Sequence, residues 1–138
     1  MNASAPPLPQ RPDGCPPSDA VAANGEFYRL TRRNLTEGEV PGDDDWTLPF
    51  QKRKGDCAGR ADLCECHAHS VFENLDDLEG ARKANPWVRK KSVAVVELEP
   101  AFGKIRKSGT DLLPSHHDWW PAEPRSVPSA VVVKGAAE

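Results

Sequence analysis

Apolar residues alternate along Ser92-Val-Ala-Val-Val-Glu-Leu-Glu99, with Val93 and Val95 on one side and Ala94, Val96 and Leu98 on the other. Both faces are apolar, so both must be covered, and the run predicts an interior strand. Glu26-Phe-Tyr-Arg-Leu-Thr31 alternates in the same way, Tyr28 and Leu30 against Phe27 and Arg29, and predicts a first strand. Ser70-Val71-Phe72 reads as a short extended segment. Asn74 then stands as a helix N-cap, Asp77 complements the dipole of the first turn, and Leu75, Leu78 and Ala81 share one face. Pro86 moves Asn85 away from helical dihedrals and ends that helix near Ala84, while Gly80 weakens it by about 1 kcal/mol relative to Ala. Pro100 stops the main strand, Ala101-Phe102-Gly103 turns, and Lys104 to Lys107 is expected to return as its hairpin partner. Ala130 to Val133 forms a last strand. The elements add up to an α+β domain, a small mostly antiparallel sheet with one short helix packed on it. Its expected core includes Tyr28, Leu30, Phe72, Leu75, Leu78, Val93, Val95, Val96, Leu98 and Ile105.

The rest of the chain lacks such periods. Arg32 to Asp56 holds Pro41-Gly42, the acidic run Asp43-Asp44-Asp45 and the basic triplet Lys52-Arg53-Lys54, and reads as loop anchored by Trp46, Leu48 and Phe50. The acidic run and the triplets Lys52 to Lys54 and Arg89 to Lys91 read as solvated charge. Residues 1–25 are Pro, Ala, Ser and Asp with almost no large apolar side chain, so nothing offsets the entropy of ordering them. A disordered Pro-rich N-terminal arm is expected over 1–25, with Cys15 as a free thiol on it, and a single domain over 26–138. The 138 residues fit one domain, and the hydrophobic fraction of 38% is diluted by that arm. A net charge of -3 speaks against a nucleic-acid binder acting by general electrostatics and favours a protein partner. The N-terminus has no charged start followed by an apolar run, and no stretch approaches the ~20 apolar residues of a membrane span, so a cytoplasmic protein without membrane association is expected.

Candidate chemistry concentrates in two places. Cys57-Ala-Gly-Arg-Ala-Asp-Leu-Cys64-Glu-Cys66-His67-Ala-His69 holds three of the four cysteines and two of the four histidines. In the cytosol thiols stay reduced, and thiolates beside imidazoles suit zinc. Alternate residues of an extended chain point the same way, so the best ligand set is Cys57, Cys64 and Cys66 with His69, or with His116 or His117 as the fourth ligand. Zinc would then fix the loop of a binding or interaction module. The bland reading is buried free cysteines beside solvent-facing histidines. The second cluster is Ser115-His116-His117-Asp118-Trp119-Trp120. Its two indoles read first as core closure, and Asp118 beside two imidazoles as support for a metal or for acid/base chemistry.

The sequence Tyr28-Arg29-Leu30, His69-Ser70-Val71-Phe72, Val95-Val96-Glu97-Leu98-Glu99 and His116-His117-Asp118-Trp119-Trp120 resembles small bacterial proteins of unassigned function. The same order resembles ADP-ribosyltransferase-like domains of the Arg, Ser, Glu-x-Glu class, including toxin-type domains. That resemblance implies an NAD-using transferase, with Arg29 and Ser70 contacting NAD and Glu97 and Glu99 as the Glu-x-Glu pair, Glu99 catalytic. Ser70 is followed here by Val71-Phe72 instead of the family's Thr-Ser.

Overall fold

The alternating run around Val93 forms strand β4 (Lys91–Leu98), and it is interior: β2 (Gly25–Arg33) lies on one side and β7 (Ser129–Lys134) on the other. The computed structural model describes residues 10–33, 35–52, 56–111, 113–122 and 128–135. The remaining strands are β1 (Val21–Ala22), β3 (His69–Phe72), β5 (Gly103–Lys107) and β6 (His116–Pro121). They form one antiparallel sheet of seven strands in the order β1-β5-β6-β3-β2-β4-β7. The expected α+β class holds in the coarse sense that helix α1 (Leu75–Ala84) accompanies the sheet, which dominates. A single turn, α2 (Pro86–Arg89), follows it.

Helix α1 begins as the sequence dictates. The Asn74 side chain accepts hydrogen bonds from the amides of Asp76 (2.8 Å) and Asp77 (3.3 Å). Leu78 is wholly buried against Phe72 and Val93, with Tyr28, Leu30 and Leu75 packed at the margin. Arg82 is the surprise on that face. It is buried, donates from Nη1 to the carbonyls of Lys91 (2.7 Å) and Gly135 (2.6 Å), and pairs with Glu79 at 2.8 Å. It ties the helix to the ends of β4 and β7.

The expected β4–β5 hairpin does not form. In the sheet these strands stand four positions apart, which in a flat sheet is ~19 Å at ~4.8 Å per strand. Yet only residues 99–102 join them, three of which form a 3-10 turn, Pro100–Phe102. The sheet must therefore curl, and the pairings show how. β1 pairs with β5, and two residues later the same chain enters β2, which pairs with β3 and β4. The set β1/β2, β5, β6 and β3 thus closes into a ring. Gly103 sits at the closure with φ +125°, and a Cβ there would lie 2.0 Å from the Trp120 carbonyl oxygen, so only glycine lets the strands approach. The interior is filled by Ala23, Phe27, Trp46, Val71, Val96, Leu98, Ile105 and Trp119.

Residues 116–121, read from sequence only as a chemical cluster, form a central strand. Trp119 and Trp120 are each 1% exposed, as core closure requires, one in the ring and the other beside Ala20 and Ala68. The loop anchors Trp46, Leu48 and Phe50 are buried around two 3-10 turns, Asp43–Trp46 and Pro49–Gln51.

Two expectations about the cysteines and their environment fail. Cys15 is not a free thiol: it is bonded to Cys64, and Cys57 is bonded to Cys66. Residues 1–9 of the expected arm lie outside the described residues, but from Gln10 onward the segment is tied down by that bond and by β1. Two disulfides also point to an oxidising, extracellular environment and overturn the cytoplasmic expectation, because cytosolic reductants keep thiols free. Among the described residues no helix is long and apolar enough to cross a membrane.

Candidate anion-binding site

Strands β2 and β3 share a single register pair, Tyr28 with Phe72. The antiparallel continuation would set Leu30 opposite Ser70, but no pairing occurs there, and a cleft of about 210 Å³ opens between the strands instead. Arg29 and Leu30 line it from β2, His69, Ser70 and Phe72 from β3, Lys91 from β4, and Thr47, Pro49 and Lys52 from the intervening loop. It therefore gathers three cationic side chains.

Arg29 is the centre of this arrangement. Alternation along β2 puts it on the same face as Phe27 and opposite Ala94, inside the ring, where it is only 7% exposed. Its Nη2 donates to the Asp45 carbonyl oxygen at 2.5 Å, and its Cζ lies 5.0 Å from the centroid of a Trp46 ring. Nε and Nη1 are buried with no hydrogen-bond partner among the described residues. A guanidinium normally uses its five donors, and an unpaired buried one costs about 1–3 kcal/mol. Burial pushes the Arg29 pKa down to about 10, against a smaller opposing attraction from Asp45. The pKa of Lys52, which stays exposed at the mouth of the cleft, is lowered too, by partial desolvation first and then by Lys91 and Arg29. The cations repel one another across the cleft, and an anion placed between them would relieve that repulsion and supply the missing acceptors.

Zinc coordination is overturned. Cys57, Cys64 and Cys66 all lie in disulfides, so none offers a thiolate, and no group of His, Cys, Asp and Glu suited to a metal ion occurs among the described residues. The two clusters do meet, but as packing. β3 pairs with β6, setting His69 opposite Trp119 and Val71 opposite His117. His69 packs on Trp119 with ring centroids 5.0 Å apart and edge-on to Trp46 at 6.1 Å. His116 Nδ1 lies 2.8 Å from the Ser108 hydroxyl and its ring meets Phe72. His117 Nδ1 lies 2.7 Å from the Ser115 carbonyl oxygen, and the ring abuts Phe27. Glu73 lies 3.7 Å from His117 Nε2, and among the described residues these groups, not Asp118, contact the two rings.

Of the residues carried by the transferase resemblance, Arg29 and Ser70 share the cleft. Glu97 and Glu99 are exposed and do not line it; Glu97 lies opposite Glu26, toward the other end of β2. Lys52 and Lys91 complete the site, although each belongs to a basic triplet that reads as solvated charge along the chain. Arg53 and Lys54 lie outside the described residues, as do the side chains of Asp43 and Asp44 from the acidic run. No signal along the chain joins Lys52 and Lys91 to Arg29, since they meet only through the fold. No protein-family model matches the chain, and neither does any curated protein or solved structure.

Proposed function

We propose that the protein is a binding module whose cleft between β2 and β3 holds the anionic group of a ligand, a phosphate, sulfate or carboxylate. The single observation that carries this reading is Arg29, buried in the wall of the cleft with two donor atoms unpartnered among the described residues and with Lys52 and Lys91 beside it. Such a group burdens the fold and is understandable as part of a site completed by ligand. Ser70, exposed at the same cleft, adds a hydroxyl donor. Titration calorimetry with inorganic phosphate and with sulfate at low ionic strength tests it. Arg29→Gln should weaken binding by about 10- to 100-fold, the loss expected for charge-assisted hydrogen bonds. Lys104→Gln, outside the cleft, should leave it unchanged. Absence of binding at millimolar anion, or equal binding by Arg29→Gln, would refute the proposal.

The transferase reading stands second: Arg29 and Ser70 line the same cleft, but Arg29 enters it from the ring face of β2, Ser70 from the helix-side face of β3, and Glu99 lies outside it, which weighs against this reading. In that reading the anion is the pyrophosphate of NAD. NAD would raise the melting temperature, and Glu99→Gln would keep binding while abolishing transfer or NAD hydrolysis. Without a thermal shift at millimolar NAD this second reading falls and the anion site is unaffected.

A further inference from the structure

A larger recess of about 680 Å³ lies between α1 and the sheet, and it shares Leu30, Ser70 and Phe72 with the cationic cleft. Those three residues line both, the cleft offering cations and the recess on the helix face a mostly apolar lining in which Leu30, Val88 and Leu113 are partly exposed and Phe72 and Leu78 are buried beneath. The helix side is built from small residues at helical spacing, Gly80, Ala81 and Ala84, which leave the space open. At Gly80 a Cβ would meet no atom within 4 Å. Gly80 is exposed at the rim of the recess, so a larger side chain there meets open space and can reach over it.

Resting on the anion-site reading above, we infer that the ligand is amphiphilic: a medium-length alkyl or acyl chain lies in the recess under α1, and its phosphate or carboxylate head enters the cleft at Arg29. A chain alone would leave Arg29 unsatisfied, and a small anion alone would leave the exposed parts of Leu30, Val88 and Leu113 in water. One molecule with both parts satisfies both by passing through the unpaired gap between β2 and β3, at Leu30, Ser70 and Phe72, from the helix face to Arg29 on the ring face. Asp76 and Asp77 also border the recess and disfavour a second anionic group there.

The oxidised 138-residue chain is titrated calorimetrically with inorganic phosphate, then with butyl, hexyl and octyl phosphate and octanoate, below their micelle concentrations. Each added CH₂ should tighten binding by about three- to fourfold until the recess is filled, since full burial of a CH₂ contributes ~0.8 kcal/mol. Gly80→Leu places a side chain in the recess and also raises helix propensity, so it should fold at least as well as the parent. It should abolish the chain-length gain while leaving inorganic phosphate affinity unchanged. Phosphate binding with no gain from the alkyl chain, or a gain that survives Gly80→Leu, overturns this inference and leaves the anion site standing. Octanol binding as tightly as octyl phosphate also overturns it. Failure of every anion to bind overturns both readings. The relative affinities of octyl phosphate and octanoate identify the head group.

Discussion

The two disulfides should contribute unequally, and the difference follows from where they join the chain. Cys15 and Cys64 are separated by 49 positions, Cys57 and Cys66 by 9. A cross-link acts mainly by removing conformations from the unfolded ensemble, and for these loops the chain-entropy relation gives about 4.1 and about 2.6 kcal/mol at 25 °C, a difference of about 1.5. Packing opposes this order: Cys66 is 1% exposed beside Leu48 and Phe50, whereas Cys64 is half-buried, so truncation should cost more at the shorter bond. The double variants Cys15→Ala/Cys64→Ala and Cys57→Ala/Cys66→Ala are unfolded with urea and followed by tryptophan fluorescence. The first should lose more stability and show the larger rise in m-value, because its unfolded chain is released over the longer loop. Equal losses, or a larger loss for the second variant, would show that loop closure does not outweigh packing at these bonds. Titratable thiols in the unreduced, denatured parent would refute the bonds themselves. Against a total stability of about 5–15 kcal/mol, loss of the longer bond alone leaves the domain marginal.

Other expectations follow from the same structure. Arg82→Met should destabilise by about 3 kcal/mol in urea titrations, because the Lys91 and Gly135 carbonyls lose their donor while the methionine stem retains part of the packing. A loss under about 1 kcal/mol would mean that water replaces the guanidinium. Anion affinity should fall as the pH rises through about 10, where Arg29 gives up its proton in the folded state. For a phosphate ester it should also rise through about pH 6 as the dianion forms. The sign for the free protein is opposite: the folded value of Arg29, about 10, lies below its unfolded value, so above about pH 10 the unfolded chain binds more protons and stability rises with pH. Calorimetry across that range checks the affinity, and a flat profile near pH 10 would remove Arg29 from the site.

Local chemistry set several features that can be read along the chain. Helix α1 begins at its Asn74 cap and ends before Pro86, and the alternation around Val93 gives β4 with both faces covered, because caps, prolines and strand periodicity act within a few residues. The same alternation already placed Arg29 with Phe27, on the face that proved to be the ring interior. The partner of β5 lay beyond such reading, since it depends on a curl that brings β1 to β5 across the whole sheet. So did the state of the cysteines. Cys15 looked isolated among prolines, and only the return of the N-terminal segment to Cys64 and Trp120 supplies its partner, which turned an apparent zinc motif into two cross-links. The cleft is the clearest case: Arg29, Lys52 and Lys91 belong to three ordinary stretches, and the lapse in pairing between β2 and β3 makes them one site. Charge repulsion and desolvation act through space, so the sequence by itself determined which residues could be buried or capped, and the tertiary structure decided which of them must share a charge.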